Sequence, residues 1–408
     1  MQIRKLILIL SIVIYMITGF ISPARAEPNV VGRAAVLIDS KSGKILYTKN
    51  ANEQLPPAST TKILTALIAL ENCNLTDIVT AGTEATLVEP SAIGLKEGEK
   101  ISVENHLWGL LLKSANDSAV ALAEHISGSG SAFAELMNSR ARALGATNSN
   151  FVNPNGLPDP NHYSTAHDLA LIARRAMVIP EFRNIVSTKV KTIPRDDDDA
   201  IKWLQNHNKL LWQYDGAIGI KTGYTREAKQ CLVASAEKDG QELIAVVLGS
   251  EGNNIWSDAK TLLDYGFNNY VTFKQKDANV LVQSLEVAKG AEQVSLVTEK
   301  EFFHTSPKGD PVNLSEKAVI NPDIVAPVHK GQVLGKLMFV LENEDIGFVN
   351  LVAANDVEEK AFPITSEVKS VNLYLVAGVL LGIFLVFNIR RRRRRRRKRR
   401  LWMNRVIR

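Results

Sequence analysis

A chain of 408 residues exceeds what one hydrophobic core normally serves, so more than one folded domain is expected. Its net charge of +6 misleads: residues 370–408 hold thirteen Lys and Arg and no acid, and residues 1–26 hold three, which leaves 27–369 at −10. An acidic folded part excludes reading the overall charge as a nucleic-acid footprint, and Cys and His show no metal-ligand spacing, so neither metal nor cofactor is expected.

Arg4 and Lys5 precede an apolar run over 6–21 that closes at Ala24-Arg25-Ala26. Charged start, apolar centre and small-x-small exit describe a secretory signal peptide over 1–26. Residues 33–38 and 44–48 read as strands joined by the turn Asp39-Ser40-Lys41-Ser42-Gly43. Pro56-Pro57 breaks the chain, and 61–71 is so apolar that a helix there must be buried. Helical periodicity returns over 103–113, 118–126 and 132–144, which leaves Ser114-Ala115-Asn116 in a tight link between helices. Beyond a Pro/Asn/Gly-rich loop at 153–163 come a helix over 166–177 and a strand over 217–221. A hairpin follows, 231–237 and 242–248, turned at Asp239-Gly240, and then a helix over 256–264. Strands at both ends with helices between predict an α/β/α sandwich with an inserted all-helical subdomain, spanning 27–271.

From 272 to 362 the pattern changes to short strands, such as 337–341 and 348–352, separated by Gly and Pro turns. That predicts a small C-terminal all-β domain, joined through a linker at 363–370 to an uncharged segment, 371–389, long enough to be a transmembrane helix. The polybasic tail, 390–408, begins with Arg390 to Arg397, and such a run marks the cytoplasmic side. The folded part is then extracytoplasmic, and the arginines suit an anionic lipid surface. Nucleic-acid binding by the tail lacks a folded domain or interleaved aromatics to support it. Cys73 and Cys231 fall in apolar segments, which points to buried free thiols rather than a disulfide. Asp196-Asp197-Asp198-Asp199 lacks the spaced ligands of a cation site and reads as a solvated turn.

Three fragments carry chemistry. In Ser59-Thr60-Thr61-Lys62 the serine and the lysine are one helical turn apart, so a buried Lys62 lies beneath the Ser59 hydroxyl. Burial depresses an amine's pKa toward that of a usable base, and the positive helix start favours an anionic oxygen near Ser59. Ser114 and Asn116 provide a hydroxyl to relay a proton and an amide to hold a peptide group. Lys221-Thr222-Gly223 closes a strand along the cleft, where substrate can add as a further strand. Lys221 and Thr222 suit a terminal carboxylate, and Gly223 permits close approach of backbone. Each fragment alone is commonplace: a capping serine, an Asn-Asp turn, a strand end. Their conjunction, in this order, is the motif set of penicillin-interacting serine acyl enzymes.

With Pro57-Ala58 before the first fragment, Asp117 after the second and Tyr224-Thr225 after the third, the chain resembles the D-alanyl-D-alanine carboxypeptidases, the low-molecular-mass penicillin-binding proteins. Phe151-Val152-Asn153-Pro154-Asn155-Gly156-Leu157, His207-Asn208-Lys209-Leu210-Leu211 and Leu232-Val233-Ala234-Ser235-Ala236 extend the resemblance, which covers about 30–360. It implies that Ser59 is acylated, that Lys62 is its base, and that Ser114, Asn116 and Lys221 complete the site. The backbone N–H groups of Ser59 and Tyr224 would form the oxyanion hole. The implied substrate is the peptidoglycan pentapeptide stem, which loses its last D-alanine, and penicillin would block Ser59. The stretch 82–98 is implied to border the site and influence deacylation. Ala228 is followed by Lys229-Gln230 where many relatives have Ala-Gly, a departure away from the catalytic atoms. A single span also replaces the amphipathic anchor of some relatives.

A β-lactamase shares two of the fragments but needs a glutamate in the loop after Ser-x-Asn, and no Glu lies between Glu135 and Glu181. A D,D-endopeptidase would use the same residues, and a non-catalytic wall binder would not need both Ser59 and Lys62.

Overall fold

The computed structural model describes residues 27–361, apart from 197 and 311, and residues 373–406. The signal peptide and the linker at 363–370 lie outside the described residues. The described chain forms two compact units, one of residues to 280 with 298–319 and 336–350, the other of 281–297, 320–335 and 351 onward.

The first unit is built on β1 (Ala34–Asp39), β2 (Ile45–Lys49), β3 (Ile78–Thr80), β4 (Lys100–Ser102), β5 (Val190–Thr192), β6 (Trp203–Gln205), β7 (Ala217–Thr225), β8 (Lys229–Lys238) and β9 (Gln241–Ser250). Five of these make an antiparallel sheet in the order β2-β1-β9-β8-β7, while β3 pairs with β4 and β5 with β6. The register Ala34↔Leu248 through Asp39↔Leu243 ties the first strand of the chain to the last of the sheet. All six residues of β1 are buried because both faces are covered. Ala34, Val36 and Ile38 face the helices Lys62–Asn72 and Ala166–Met177, whereas Ala35 and Leu37 face the helix Asn254–Asn269. That alternation is the period of two expected of a strand between two layers. The helical subdomain lies between β2 and β7 in sequence, so the α/β/α sandwich with an inserted helical lobe is the observed architecture.

Three local features depart from the sequence reading. The strand expected over 217–221 runs on to Thr225, so Lys221-Thr222-Gly223 lies inside β7 rather than at its end. Its ladder with β8 continues to Thr225↔Lys229 through polar residues that mimic a loop in the sequence. The helix expected over 103–113 is an α-helix, Val103–Trp108, followed by a wider π turn, Gly109–Lys113, that ends at Ser114 in the left-handed conformation, φ 63°. A Cβ at Gly109 would meet Ser118 Oγ at 3.0 Å and Ile93 at 3.3 Å, so this turn packs closer than a larger residue allows. Finally, Cys231 is buried and free as expected, but Cys73, the residue that ends the nucleophile helix, is only half-buried.

Among the described residues from Tyr270 to Ala353 every regular element is a strand: β10 (Tyr270–Lys276), β11 (Leu281–Glu286), β12 (Gln293–Thr298), β13 (Phe302–Pro307), β14 (Ser315–Ile320), β15 (Val333–Leu341) and β16 (Glu344–Ala353). This is the all-β region expected from the Gly and Pro spacing. In the first unit β10 pairs with β13. In the second, β11 pairs with β12, and Val294, Leu296, Val328, Leu351 and Val357 are buried. The last helix, Leu373–Val406, carries straight through the arginine run, and within 373–397 it holds an apolar window long enough to cross a membrane.

Candidate active site

Ser59 sits in a 3-10 turn, Ala58–Thr61, that leads into the helix Lys62–Asn72. The tight turn rises steeply, and it stacks Lys62 under Ser59: Lys62 Nζ donates to Ser59 Oγ at 2.9 Å. The amine donates also to Asn116 Oδ1 and to the main-chain oxygen of Asn155, both at 2.6 Å. Three oxygens around one nitrogen leave the side chain no freedom, and Lys62 is fully buried; as the neutral amine it keeps two N–H bonds for Asn116 and Asn155 and turns its lone pair to the Ser59 hydroxyl. Burial, and next the neighbouring Lys221 ammonium, hold Lys62 well below the ordinary lysine range against the opposing carboxylate of Asp117.

The turn itself is braced from behind. Val152 N–H donates to His162 Nδ1 at 3.2 Å, which puts the ring proton on Nε2, 2.9 Å from Thr61 Oγ1. Burial pushes His162 down to about 4, so it is a neutral strut at pH 7. Gly156, at φ 84°, lies against the same turn: a Cβ there would be 1.9 Å from the Ala58 carbonyl oxygen.

Ser114, turned inward by its left-handed backbone, accepts from Lys221 Nζ at 3.0 Å, and the same amine reaches the Thr222 carbonyl oxygen at 2.9 Å. Lys221 is buried, and burial pulls it down to about 7. Asn116 uses both ends of its amide inside the protein. Its Oδ1 takes the Lys62 proton donor, and its Nδ2 donates to the Glu89 carbonyl oxygen at 2.6 Å. The carboxylate of Asp117 accepts the N–H groups of Ile93 and Leu95, so the motif's last residue holds the adjacent loop rather than the reaction centre.

Gly223 brings β7 against the nucleophile turn. A Cβ at this position would stand 2.9 Å from Ser59 N and 3.1 Å from Pro57 O. A cavity of about 360 Å³ opens here, lined by Ser59, Ser114, Thr222, Gly223 and Tyr224 among others. All the residues singled out from the sequence therefore meet, either around this cavity or one hydrogen bond behind it. Asp196 and Asp199 take no part, and Asp198 pairs with Lys202 at 3.2 Å on the surface.

The sequence reading gave no individual role to Asn155, Ser91 or His207, although Ser91 lies in the stretch 82–98 that it expected to border the site. Ser91 and His207 line the cavity, and burial with the nearby Lys221 and Lys113 pushes His207 down to about 4. His207 stood within a quoted motif, which was the available signal. Asn155 acts through its carbonyl oxygen, for which residue type is no guide. The loop 153–163 has one acid, Asp159, and its carboxylate accepts from Asn161 N at 2.7 Å.

The chain matches the family model described as D-alanyl-D-alanine carboxypeptidase over residues 22–252, and that of the penicillin-binding protein 5 C-terminal domain over 269–359. It is 36% identical over 338 residues to D-alanyl-D-alanine carboxypeptidase DacF of Bacillus subtilis (strain 168), an alignment that covers 81% of this chain and 87% of that one. With D-alanyl-D-alanine carboxypeptidase DacC of Escherichia coli (strain K12) it shares 35% identity over 363 residues, 85% of this chain and 89% of the relative. Among solved structures, penicillin binding protein 5 from Haemophilus influenzae superposes with a TM-score of 0.68 at 34% identity, covering 82% of this chain and all of that one.

Proposed function

The chain belongs to the D-alanyl-D-alanine carboxypeptidase family, and from that premise we propose that it removes the terminal D-alanine of peptidoglycan pentapeptide stems through an acyl-enzyme on Ser59. One observation carries the reading: a buried lysine with a depressed pKa donates at 2.9 Å to a serine hydroxyl on the cavity wall.

Lys62 as the neutral amine takes the Ser59 proton while Oγ attacks the carbonyl carbon of the penultimate D-alanine. The negative charge that develops on the carbonyl oxygen is received by the backbone N–H groups of Ser59 and Tyr224. Ser114 Oγ, bonded to Lys221, stands where a proton can pass to the departing nitrogen as the C–N bond breaks and D-alanine leaves. Lys221 and Thr222 attract the substrate's terminal carboxylate, and β7 offers its backbone to the peptide. Water, deprotonated in turn, then cleaves the Ser59 ester and restores the enzyme.

A β-lactam enters as a mimic of the D-alanyl-D-alanine end and stays, because the loop beside Lys62 supplies main-chain oxygens and no glutamate. Untreated, the protein is expected to release D-alanine from a muramyl pentapeptide; after treatment with benzylpenicillin it should gain one adduct by mass and lose that release, and Ser59→Ala should show neither adduct nor release. Rapid turnover of a chromogenic cephalosporin without an adduct would overturn the reading.

The apolar helix and the arginines that follow it support a tether with the catalytic part outside the bacterial cytoplasmic membrane. The full chain should then resist alkaline extraction from membranes, and a chain ending at 369 should be released. Release of both would sink the tether.

A further inference from the structure

The loop 89–95, which puts Ser91 on the lining of the catalytic cavity, has no regular secondary structure, yet ionic side chains hold it from two sides. From one side Asp117 accepts the N–H of Ile93 at 3.0 Å and that of Leu95 at 3.1 Å. From the other, Arg195 donates through Nη1 to the Ile93 carbonyl oxygen at 2.6 Å and through Nη2 to that of Gly94 at 3.0 Å. Ile93 thus has its N–H tied to an anion and its C=O to a cation, with its own side chain wholly buried.

The arginine is itself built in. Its side chain is 1% exposed, and Nε and Nη2 grip the Glu99 carboxylate at 2.7 Å each. Nη1 reaches the Ile201 carbonyl oxygen as well, at 3.2 Å. Only a planar fork of five donors can serve a carboxylate and three carbonyls from one point, so a lysine cannot reproduce this set.

The nearer end of the loop meets the catalytic groups. Ser91 O accepts from Asn116 N at 2.7 Å, Glu89 O accepts from Asn116 Nδ2 at 2.6 Å, and Asn116 Oδ1 accepts from Lys62 Nζ at 2.6 Å. A continuous series of bonds therefore runs from Arg195 through the loop and the Asn116 amide to the amine under Ser59.

We propose that Arg195 is a positioning residue: by fixing 89–95 from the carbonyl side it sets the orientation of the Asn116 amide and, through it, of the Lys62 amine. The alternative is a purely structural arginine that secures the connection between β5 and β6. The proposal rests on the acyl-enzyme reading above, and its test separates the two.

Full-length Arg195→Met and Arg195→Lys would be compared with Arg140→Met, a control that breaks the Arg140–Glu71 ion pair remote from the cavity. The measurements are the pH profile of Ser59 acylation by benzylpenicillin, D-alanine release, and amide hydrogen exchange across 89–95. Arg195→Met is expected to slow acylation by about 10- to 100-fold, displace the acid limb that reports Lys62, and speed exchange at Ile93 and Leu95. Arg195→Lys should recover only part of the rate, and Arg140→Met should keep both rate and limb. A wild-type rate and acid limb in Arg195→Met, whatever its melting temperature, would overturn the assignment, as would an equal loss in the control. Should Arg195→Met fail to fold, Arg195→Lys decides: a displaced limb supports the assignment and an unmoved one overturns it. Acylation without D-alanine release in the wild type would instead defeat the carboxypeptidase reading and leave the positioning role to the acylation data.

Discussion

On the helical wall of the cavity the polar atoms are already engaged with one another. Lys62 spends three bonds on Ser59, Asn116 and Asn155, and the Asn116 amide is used at both ends. The strand wall is different: β7 pairs with β8 on one side only, and among the described residues no strand pairs with its other edge, which borders the cavity. A wall whose bonds are all made in advance can hold a reacting atom in place, whereas a wall with bonds left over can receive a chain. Rate should therefore depend on the first and affinity on the second.

Substituting the amine tests that division hardest. Lys62→Met removes the base and should slow acylation of Ser59 by about 100- to 10,000-fold, read by stopped-flow with a fluorescent penicillin. A loss confined to KM would mean that the helical wall binds rather than reacts. Gly223→Ala attacks the seam between the walls, since its new methyl would stand 2.9 Å from Ser59 N and 3.1 Å from Ala58 Cβ. Displacing β7 from the nucleophile turn should cost about 100-fold in acylation rate and about 1–3 kcal/mol of stability, the second seen as a lower denaturant midpoint. An unchanged rate would show that the strand is free to move without consequence.

The smallest effect belongs to Lys221, where binding and stability should move in opposite directions. Its pKa in the folded chain is about 7, below the ordinary lysine value of about 10.4, so between those values the unfolded chain binds more protons than the native one. Stability therefore rises with pH across that window and is lowest on its acid side. Lys221→Met removes the penalty and should raise the melting temperature by roughly 5 °C at neutral or mildly acidic pH, with a smaller gain in alkali. The variant should raise KM and lack the alkaline limb expected of wild-type kcat/KM above about 7, where burial would discharge the Lys221 ammonium. A variant both less stable and unchanged in KM would contradict this division.

What could be read in the sequence follows from the same contrast. Ser59 and Lys62 were legible because a helical turn fixes their separation, and β1, β9 and the buried helix were legible because continuous apolar runs have few alternatives. Ser114 and Asn116 could be placed between helices, but their use could not: Asn116 turns out to hold Glu89, and Ser114 to meet Lys221 across 107 residues of chain. The far half of β7 and the start of β8 were hidden because Thr222, Lys229 and Gln230 are polar, and Thr222, Tyr224 and Gln230 line the cavity. Arg195 and Asp117 escaped notice as holders of 89–95 because their partners are main-chain groups, which leave no mark on residue choice.

An unpaired sheet edge is ordinarily a hazard, since any extended chain can dock on it and seed aggregation. The outer edge of β7 lies within a cavity of about 360 Å³, with the Ser59 turn pressed against Gly223. A strand that belongs to another sheet brings neighbours on its flanks, which the recess would have to admit as well. A lone peptide, free on both sides, brings none. The recess would thus act as a sieve for chain thickness, favouring isolated chain ends over the strands of folded sheets, before any side chain has been recognised.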